Sequence, residues 1–430
     1  MQIQALLDSL KNCPCGKEHT VNIQAVEIGR GLKSKAADIL SVNGFPKNIL
    51  VVADKNTLAA ADGILDVLTD GGFTVQTQIY ENLRTADQTE VDRIVALSAD
   101  VQGVLSVGTG SLNDICRRAC LLADKQFAIF ATAPSMDGFA SDTAPITHNS
   151  FKVSLPARQP SVIIGDTEIL AAAPAELKAS GYGDMIAKYV AMAEWRIAQV
   201  TIGEYYCENV ANITRTALRK LVALTDKVTA NDPETAGAIM EALVLTGIAM
   251  KLCYSSRAAS GAEHVVSHFW EIKKLEQGHL SDYHGKKVGV ATWMISKMYY
   301  DILAKADPAK FTEDTTDWEK VYAVYGKNFE QDVRRLNSPT VTEETSPQIL
   351  RDNWGKIREI VREELPTPDV IENLLRRAGA ATTLEEISVL PELGVQGLEF
   401  HAYMRHRLLL SRLLPMLHCD IDFAQIAGLK

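Results

Sequence analysis

The chain has 430 residues, 44 basic and 54 acidic side chains and a formal net charge of −10; 47% of it is hydrophobic and 23% charged. These proportions are ordinary for a globular protein and exclude a disordered chain, a collagen and a disulfide mini-scaffold. The acidic balance speaks against a nucleic-acid partner, which calls for a basic stripe or patch, and at roughly 100–200 residues per domain two domains are expected.

The opening residues, MQIQALLDSLKNC, carry Asp8 and lack a long apolar core, so no secretory signal is expected there. Cys13-Pro14-Cys15-Gly16 follows, with His19. It looks like half of a zinc knuckle. A closed site takes four ligands, and no second Cys/His pair lies at a suitable distance. Two reduced thiols in an N-terminal turn is therefore the expectation. The seven cysteines are scattered and odd in number, which fits thiols in a reducing cytoplasm.

Residues 49–52 (ILVV) read as a buried strand, followed by a helical pattern through Leu58, Ile64, Leu65 and Leu68. Residues 73–79 form a second strand, 89–97 a helix, and 103–107 (GVLSV) and 127–131 (FAIFA) two more strands. Strands separated by helical patterns of 10–15 residues mean βαβ units and a parallel sheet. From Ala171 the patterns turn long, helical and rich in Ala and Leu, as in 172–199, 233–255, 284–306 and 398–414. Residues 307–316 and 337–347 read as polar loops. The expected architecture is an α/β N-terminal nucleotide-binding domain with a parallel sheet over 1–168, plus an all-helical C-terminal domain over 169–430. No run approaches the ~18 apolar residues of a membrane span.

Four stretches can carry chemistry. Gly108-Thr109-Gly110-Ser111 follows a strand and opens a helix that includes Asn113 and Asp114. Such a loop either cradles a phosphate on the helix N-terminus or is a tight turn with Ser111 as N-cap and Asp114 three residues on. Asp54, ending the first strand, suits a ribose hydroxyl or the cap of the next helix. Residues 132–141, TAPSMDGFAS, lie at a strand's carboxyl end, where open α/β sheets bind ligands; Pro, Ser, Asp and Gly also make plain turns. Four of the nine histidines fall between His264 and His284. His264 and His268 share one helix face. With His284 and an acid such as Asp184 they suit a metal with three protein ligands and an open position, or merely a polar face.

The stretches VGTGSLNDICR (107–117), ATAPSMDGFASDTAPI (131–146), SGYGDMIAKYVAMAEW (180–195), SRAASGAEHVVSHFWE (256–271) and HGKKVGVAT (284–292) together resemble the bacterial, AraM-type sn-glycerol-1-phosphate dehydrogenases. These belong with glycerol dehydrogenase, the iron-containing alcohol dehydrogenases and 3-dehydroquinate synthase. The resemblance implies metal ligation by Asp184, His264 and His284. It implies His268 as the proton-handling residue and Asp137 as a substrate contact, together the catalytic pair. Asp54, Gly110, Ser111, Asn113, Asp114, Thr132, Ser135 and Ser141 are matched to the nicotinamide cofactor, NADH or NADPH. It also implies one divalent ion (zinc, or nickel, iron or manganese), a phosphorylated triose or glycerol substrate, and a cytoplasmic homo-oligomer, a dimer or larger. The reaction implied is reduction of dihydroxyacetone phosphate to sn-glycerol 1-phosphate. The alternative is a glycerol or other polyol dehydrogenase of the same superfamily.

Overall fold

A computed structural model describes residues 3–148 and 151–429. Its strands are β1 (Ala25–Gly29), β2 (Asn48–Asp54), β3 (Thr74–Tyr80), β4 (Gly103–Gly108), β5 (Gln126–Ala131), β6 (Thr143–His148), β7 (Phe151–Pro156) and β8 (Val162–Asp166). Six form one parallel sheet in the order β1-β8-β5-β4-β2-β3, and β6 and β7 pair as a separate antiparallel hairpin. Strands buried on both faces should read as continuous apolar runs. The inner strands β2, β4, β5 and β8 do, and they are buried almost throughout. The edge strands β1 and β3 carry exposed polar positions, Glu27 and Thr74 among them.

The four expected strands all form, shifted by one to two residues. The strands β1 and β8, and the β6–β7 hairpin, were not anticipated. The run VII in β8 is only three residues long, and β1 is a short edge strand interrupted by Glu27. Neither announces itself without its partner, and the two pair with each other. After Asp166 no further strand forms among the described residues. The architecture is thus an α/β part followed by helices, as expected.

The chain divides into two compact units, one of Met1–Met185 with Asn209–Ser255, the other of Ile186–Glu208 with Ser256–Lys430.

In the first unit, the chain places β3 on one side of β2 and then β4 on the other. That reversal leaves a crevice outside the carboxyl ends of β2 and β4, the usual ligand position in open α/β sheets. Asp54 and Gly108 sit at those two ends. The helix Pro233–Leu252 is N-capped by Asp232, whose side chain accepts from the Glu234 and Thr235 N–H groups. By length and apolar composition it could cross a membrane, yet it is mostly buried. It packs on the helix Thr167–Ala172 and the 3-10 turn Gly138–Ala140, which accounts for its apolar surface.

In the second unit, the helices Ala262–Glu276 and His284–Lys305 pack against each other as a hairpin. Three later helices, Pro347–Glu364, Pro368–Arg377 and Pro391–Phe400, each start on a proline, whose missing N–H is unneeded in a first turn. The helix expected over 398–414 does not form. The helix ends at Phe400, passes through a 3-10 turn (His401–Met404), and Arg405 is extended. Polar contacts override the leucine periodicity here: the Arg407 guanidinium reaches the Ser260 carbonyl at 2.9 Å and the Ser256 hydroxyl at 2.6 Å.

Candidate active site

The sheet unit presents its expected residues on three neighbouring loops. After β4, Thr109 is the N-cap of the helix Gly110–Leu122, in extended conformation and without a side-chain cap bond. The capping alternative for Ser111 is thereby corrected: Ser111 lies inside the helix, and its hydroxyl donates to the Arg84 carbonyl at 3.1 Å. Gly110 has φ of +44°, a conformation side chains disfavour. The first N–H groups of any α-helix lack intrahelical acceptors, so this turn offers donors to an anion. One turn on, Asn113 is fully buried, and neither of its side-chain polar atoms has a hydrogen-bond partner among the described residues. Asp114 lies 3.6 Å from the buried Arg117. Arg117 in turn donates to the carbonyls of Ser141 and Thr143, tying the loop that carries Ser141 to this helix.

After β5, Thr132 extends the sheet with its N–H on the Gly108 carbonyl. The Ser135 hydroxyl pairs with that of Thr109 at 2.7 Å, and the Ser135 carbonyl accepts from Ser180 at 3.0 Å. The helix Ala175–Ile186 lies so close to this loop that a Cβ on Gly181 would overlap the Pro134 carbonyl oxygen. As a result the Asp137 N–H donates to the Asp184 carboxylate at 2.9 Å, with both residues buried. Two motifs 47 residues apart are thus joined, and one carboxylate oxygen is fixed.

Asp54 takes part in a complete capping box: its side chain accepts from the Thr57 N–H at 2.9 Å, and the Thr57 hydroxyl accepts from the Asp54 N–H. The cap accounts for one carboxylate oxygen. The Lys55 ammonium is turned to Glu81 at 2.6 Å on the surface.

The helical unit gathers three histidines. His264 and His284 rings are 5.2 Å apart by centroid, and His268 and His284 stack at 5.4 Å with 26° between planes. A ligand nitrogen from each of His264 and His284 lies within 4.8 Å of the other. The fully buried Glu263 carboxylate sits 2.7 Å from His264 Nδ1. A carboxylate only accepts, so Nδ1 carries the proton and Nε2 the lone pair. Glu263 also accepts from the Gly261 N–H at 2.7 Å, closing the start of this helix. His268 Nδ1 faces Glu271 at 3.4 Å, and Glu271 is held by the buried Lys287 at 3.2 Å.

Beneath this cluster, Glu194 accepts from the Ala262 N–H at 3.0 Å and from the Tyr299 hydroxyl. Burial, reinforced by the nearby Glu263, pushes the Glu194 carboxyl up to about 8. By contrast His401, bonded to Ser411 at 2.8 Å, is a core histidine that burial pushes down to about 4.

Residues 27–174 match the model of the iron-containing alcohol dehydrogenase family. A glycerol-1-phosphate dehydrogenase [NAD(P)+] of Geobacillus stearothermophilus is 29% identical over 421 residues, 95% of this chain and 96% of the relative. One of Halalkalibacterium halodurans is 32% identical over 67% of this chain and 73% of its own length. The chain belongs to the glycerol-1-phosphate dehydrogenase family. It is an oxidoreductase. The likeness to the Geobacillus relative covers nearly the whole chain. A probable glycerol dehydrogenase from Sinorhizobium meliloti shares the fold, with a TM-score of 0.62 at 16% identity, over 94% of this chain and 98% of that one. A Thermotoga maritima NADH-dependent butanol dehydrogenase does so with a TM-score of 0.59, over 95% and 97%, at 16% identity.

The carboxylates that support the histidines, Glu263, Glu271 and Glu194, were not among the residues expected from the sequence. Glu263 directly precedes His264. Glu271 stands three residues after His268, on the same helix face. That spacing was available as a signal. Glu194, 70 residues upstream of His264, had none.

Proposed function

We propose that the chain catalyses NAD(P)H-linked, metal-dependent interconversion of dihydroxyacetone phosphate and sn-glycerol 1-phosphate. The carrying observation is the histidine cluster with its nitrogens set by carboxylates. Histidines that ligate a metal through one nitrogen regularly give the other N–H to a carboxylate, which is the relation of His264 to Glu263. In this reading Asp184, His264 and His284 hold one divalent ion. The donors fit zinc, and nickel, iron or manganese accept similar sets. A Lewis acid held there would polarise the carbonyl oxygen, and the nicotinamide supplies the hydride.

The chain's own residues do the rest. His268, its Nδ1 directed at Glu271, would carry the transferable proton on Nε2 and give it to the oxygen that was the carbonyl's. The Asp137 N–H fixes Asp184, and the Asp137 side chain would contact the substrate. The Gly110 turn, with Ser111, Asn113 and Asp114, would take the cofactor's phosphates. Asp54, Thr132, Ser135 and Ser141 would complete that site. Asn113, buried and unpartnered, is the kind of group a bound ligand satisfies.

For the substrate phosphate we propose Arg407. Four cations, Arg257, Lys188, Lys273 and Arg407, are candidates from the sequence; of these, Arg257 is clamped on Glu204 through two bonds at 2.8 and 2.6 Å. Lys273 is held by Glu276 and the Tyr325 carbonyl. Lys188 donates to the Ala259 carbonyl, and Arg407 donates to the Ser260 carbonyl and the Ser256 hydroxyl, two neutral acceptors that leave its charge for an anion. Burial and the charges of Arg257 and Arg405 push Arg407 down to about 9. An anion bound beside it would relieve that crowding.

The test is kcat/KM for dihydroxyacetone phosphate against dihydroxyacetone, with defined metals. We expect strong preference for the phosphate ester. Arg407→Met should erase that preference by roughly 10–100-fold, the worth of hydrogen bonds to a charged group. Equal use of both substrates by the wild type would overturn the reading in favour of a polyol dehydrogenase.

A further inference from the structure

The N-terminal cysteine motif lies outside the proposed active site, and its surroundings are those of a metal site. Cys13 closes the helix Ile3–Leu10 with its N–H on the Leu10 carbonyl at 3.1 Å. The chain then turns: the Gly16 N–H reaches the Cys13 carbonyl at 3.3 Å, and Gly16 has φ of +76°. That left-handed residue after the second cysteine lets the chain reverse without strain, so Cys13 and Cys15 present both sulfurs to one side.

His19 comes to the same place. Its Nε2 is 3.2 Å from Cys15 Sγ, and ligand atoms of Cys13, Cys15 and His19 all lie within 4.8 Å of one another. Ligands of a tetrahedral zinc stand about 3.3–3.8 Å apart, given metal bonds of about 2.0–2.3 Å. On its other side, His19 Nδ1 is 2.8 Å from the Leu252 carbonyl. A carbonyl only accepts, so Nδ1 bears the proton and Nε2 is the ligand nitrogen. This outer hydrogen bond is the one a ligating histidine regularly makes. His19 is buried, while the sulfurs are half-buried.

The fourth donor, missing from any local pattern, comes from far along the chain. The Asn209 side-chain amide donates to Cys13 Sγ at 3.3 Å. Cys207 stands two residues earlier, immediately before the helix Glu208–Val222. Two residues span at most about 7 Å, so the chain brings a third thiol to the motif. Cys207 is almost wholly buried, and no disulfide uses any of these cysteines.

We propose that Cys13, Cys15, His19 and Cys207 bind one structural zinc ion. Three thiolates and one imidazole form a closed set with no open position, so the ion is structural rather than catalytic. It would staple the N-terminal segment to the start of the helix Glu208–Val222, with thiol protons released on binding. The proposal is independent of the active-site reading.

The test starts from full-length protein made with zinc supplementation, as wild type and as the His264→Ala/His284→Ala double variant. Zinc is measured per chain by elemental mass spectrometry. The double variant should keep one zinc per chain, and Cys15→Ser/Cys207→Ser in that background should lose it. Because the serine variant could fail to fold, the double variant is also alkylated with its cysteines intact. Cys13 and Cys15 should be protected with zinc and labelled quickly after chelation. Cobalt substitution should give thiolate-to-cobalt charge-transfer absorption. A double variant without zinc, or equal labelling of Cys13 and Cys15 with and without chelator, would overturn the proposal. One zinc in both wild type and double variant would support it while counting against a zinc at His264 and His284.

Discussion

The carboxyl edge of the sheet and the histidine hairpin both gather polar residues, but by different means. At the sheet edge, backbone geometry does the arranging. Asp54 and Thr132 hold position through capping and ladder bonds within a few residues or between adjacent strands. In the hairpin, side chains do it: buried Glu263 and Lys287, with the half-buried Glu271, set the imidazoles, and Glu194 supports the helix start from another element. A site held by backbone should tolerate loss of one side chain. A site held by desolvated carboxylates should not, because removing one partner leaves the other buried and unpaired.

The sharpest break of that contrast is removal of a donor. His264→Ala and His284→Ala should each abolish turnover by losing the ion, whereas Ser111→Ala at the sheet edge should leave most of it. Metal content and activity on the same samples decide it. Normal turnover with full metal in either histidine variant would end the ligand assignment.

Next comes His268→Ala. As the proton-delivering group it should cost about 10²–10⁴-fold in turnover at saturating metal, with metal affinity retained. Unchanged turnover under those conditions would leave His268 as packing against His284.

The same contrast explains what sequence could reveal. Strands β2, β4 and β5 were legible because a strand buried on both faces is an apolar run. The loops after them were legible because each motif is contiguous. His264 and His268 declare themselves by helical spacing. What escaped depends on tertiary partners: β1 and β8, which make sense only as a pair; Glu194, placed by folding alone; and Cys207, whose proposed role rests on the meeting of Asn209 with Cys13. The end of the helix at Phe400 escaped in another way, since the bonds of Arg407 to Ser256 and Ser260 break a helix that leucine periodicity alone would continue.

Glu263→Gln tests the support itself. It keeps the shape but weakens the acceptor for the His264 Nδ1–H. Metal affinity should fall by roughly 10–100-fold, the usual worth of such a partner, while turnover at saturating metal stays close to wild type. Competition titration against a chelator of known affinity measures it. Unaltered affinity would mean that Glu263 serves only the Gly261 and helix-start contacts.

The smallest effect is expected at Asp54, where the two modes of support meet in one carboxylate. One oxygen caps the helix Lys55–Ala60 through the Thr57 N–H, and the cofactor reading asks the other to accept from the ribose 2′-hydroxyl of NADH. The same charge would repel the extra phosphate of NADPH, and Lys55, engaged with Glu81, is poorly placed to offset it. NADH should therefore be preferred, with NADPH tolerated. Asp54→Asn separates the roles. Asparagine caps as well as aspartate, so the unfolding temperature should hold, while loss of the charge should move the NADPH-to-NADH ratio of kcat/KM by about tenfold, the low end for a hydrogen bond to a charged group. Asp54→Ala adds the cost of the cap, about 1 kcal/mol, visible as a lower unfolding temperature with a similar shift in ratio. If the ratio stays fixed in Asp54→Asn, or the wild type prefers NADPH, the carboxylate serves its helix alone and the ribose is read elsewhere.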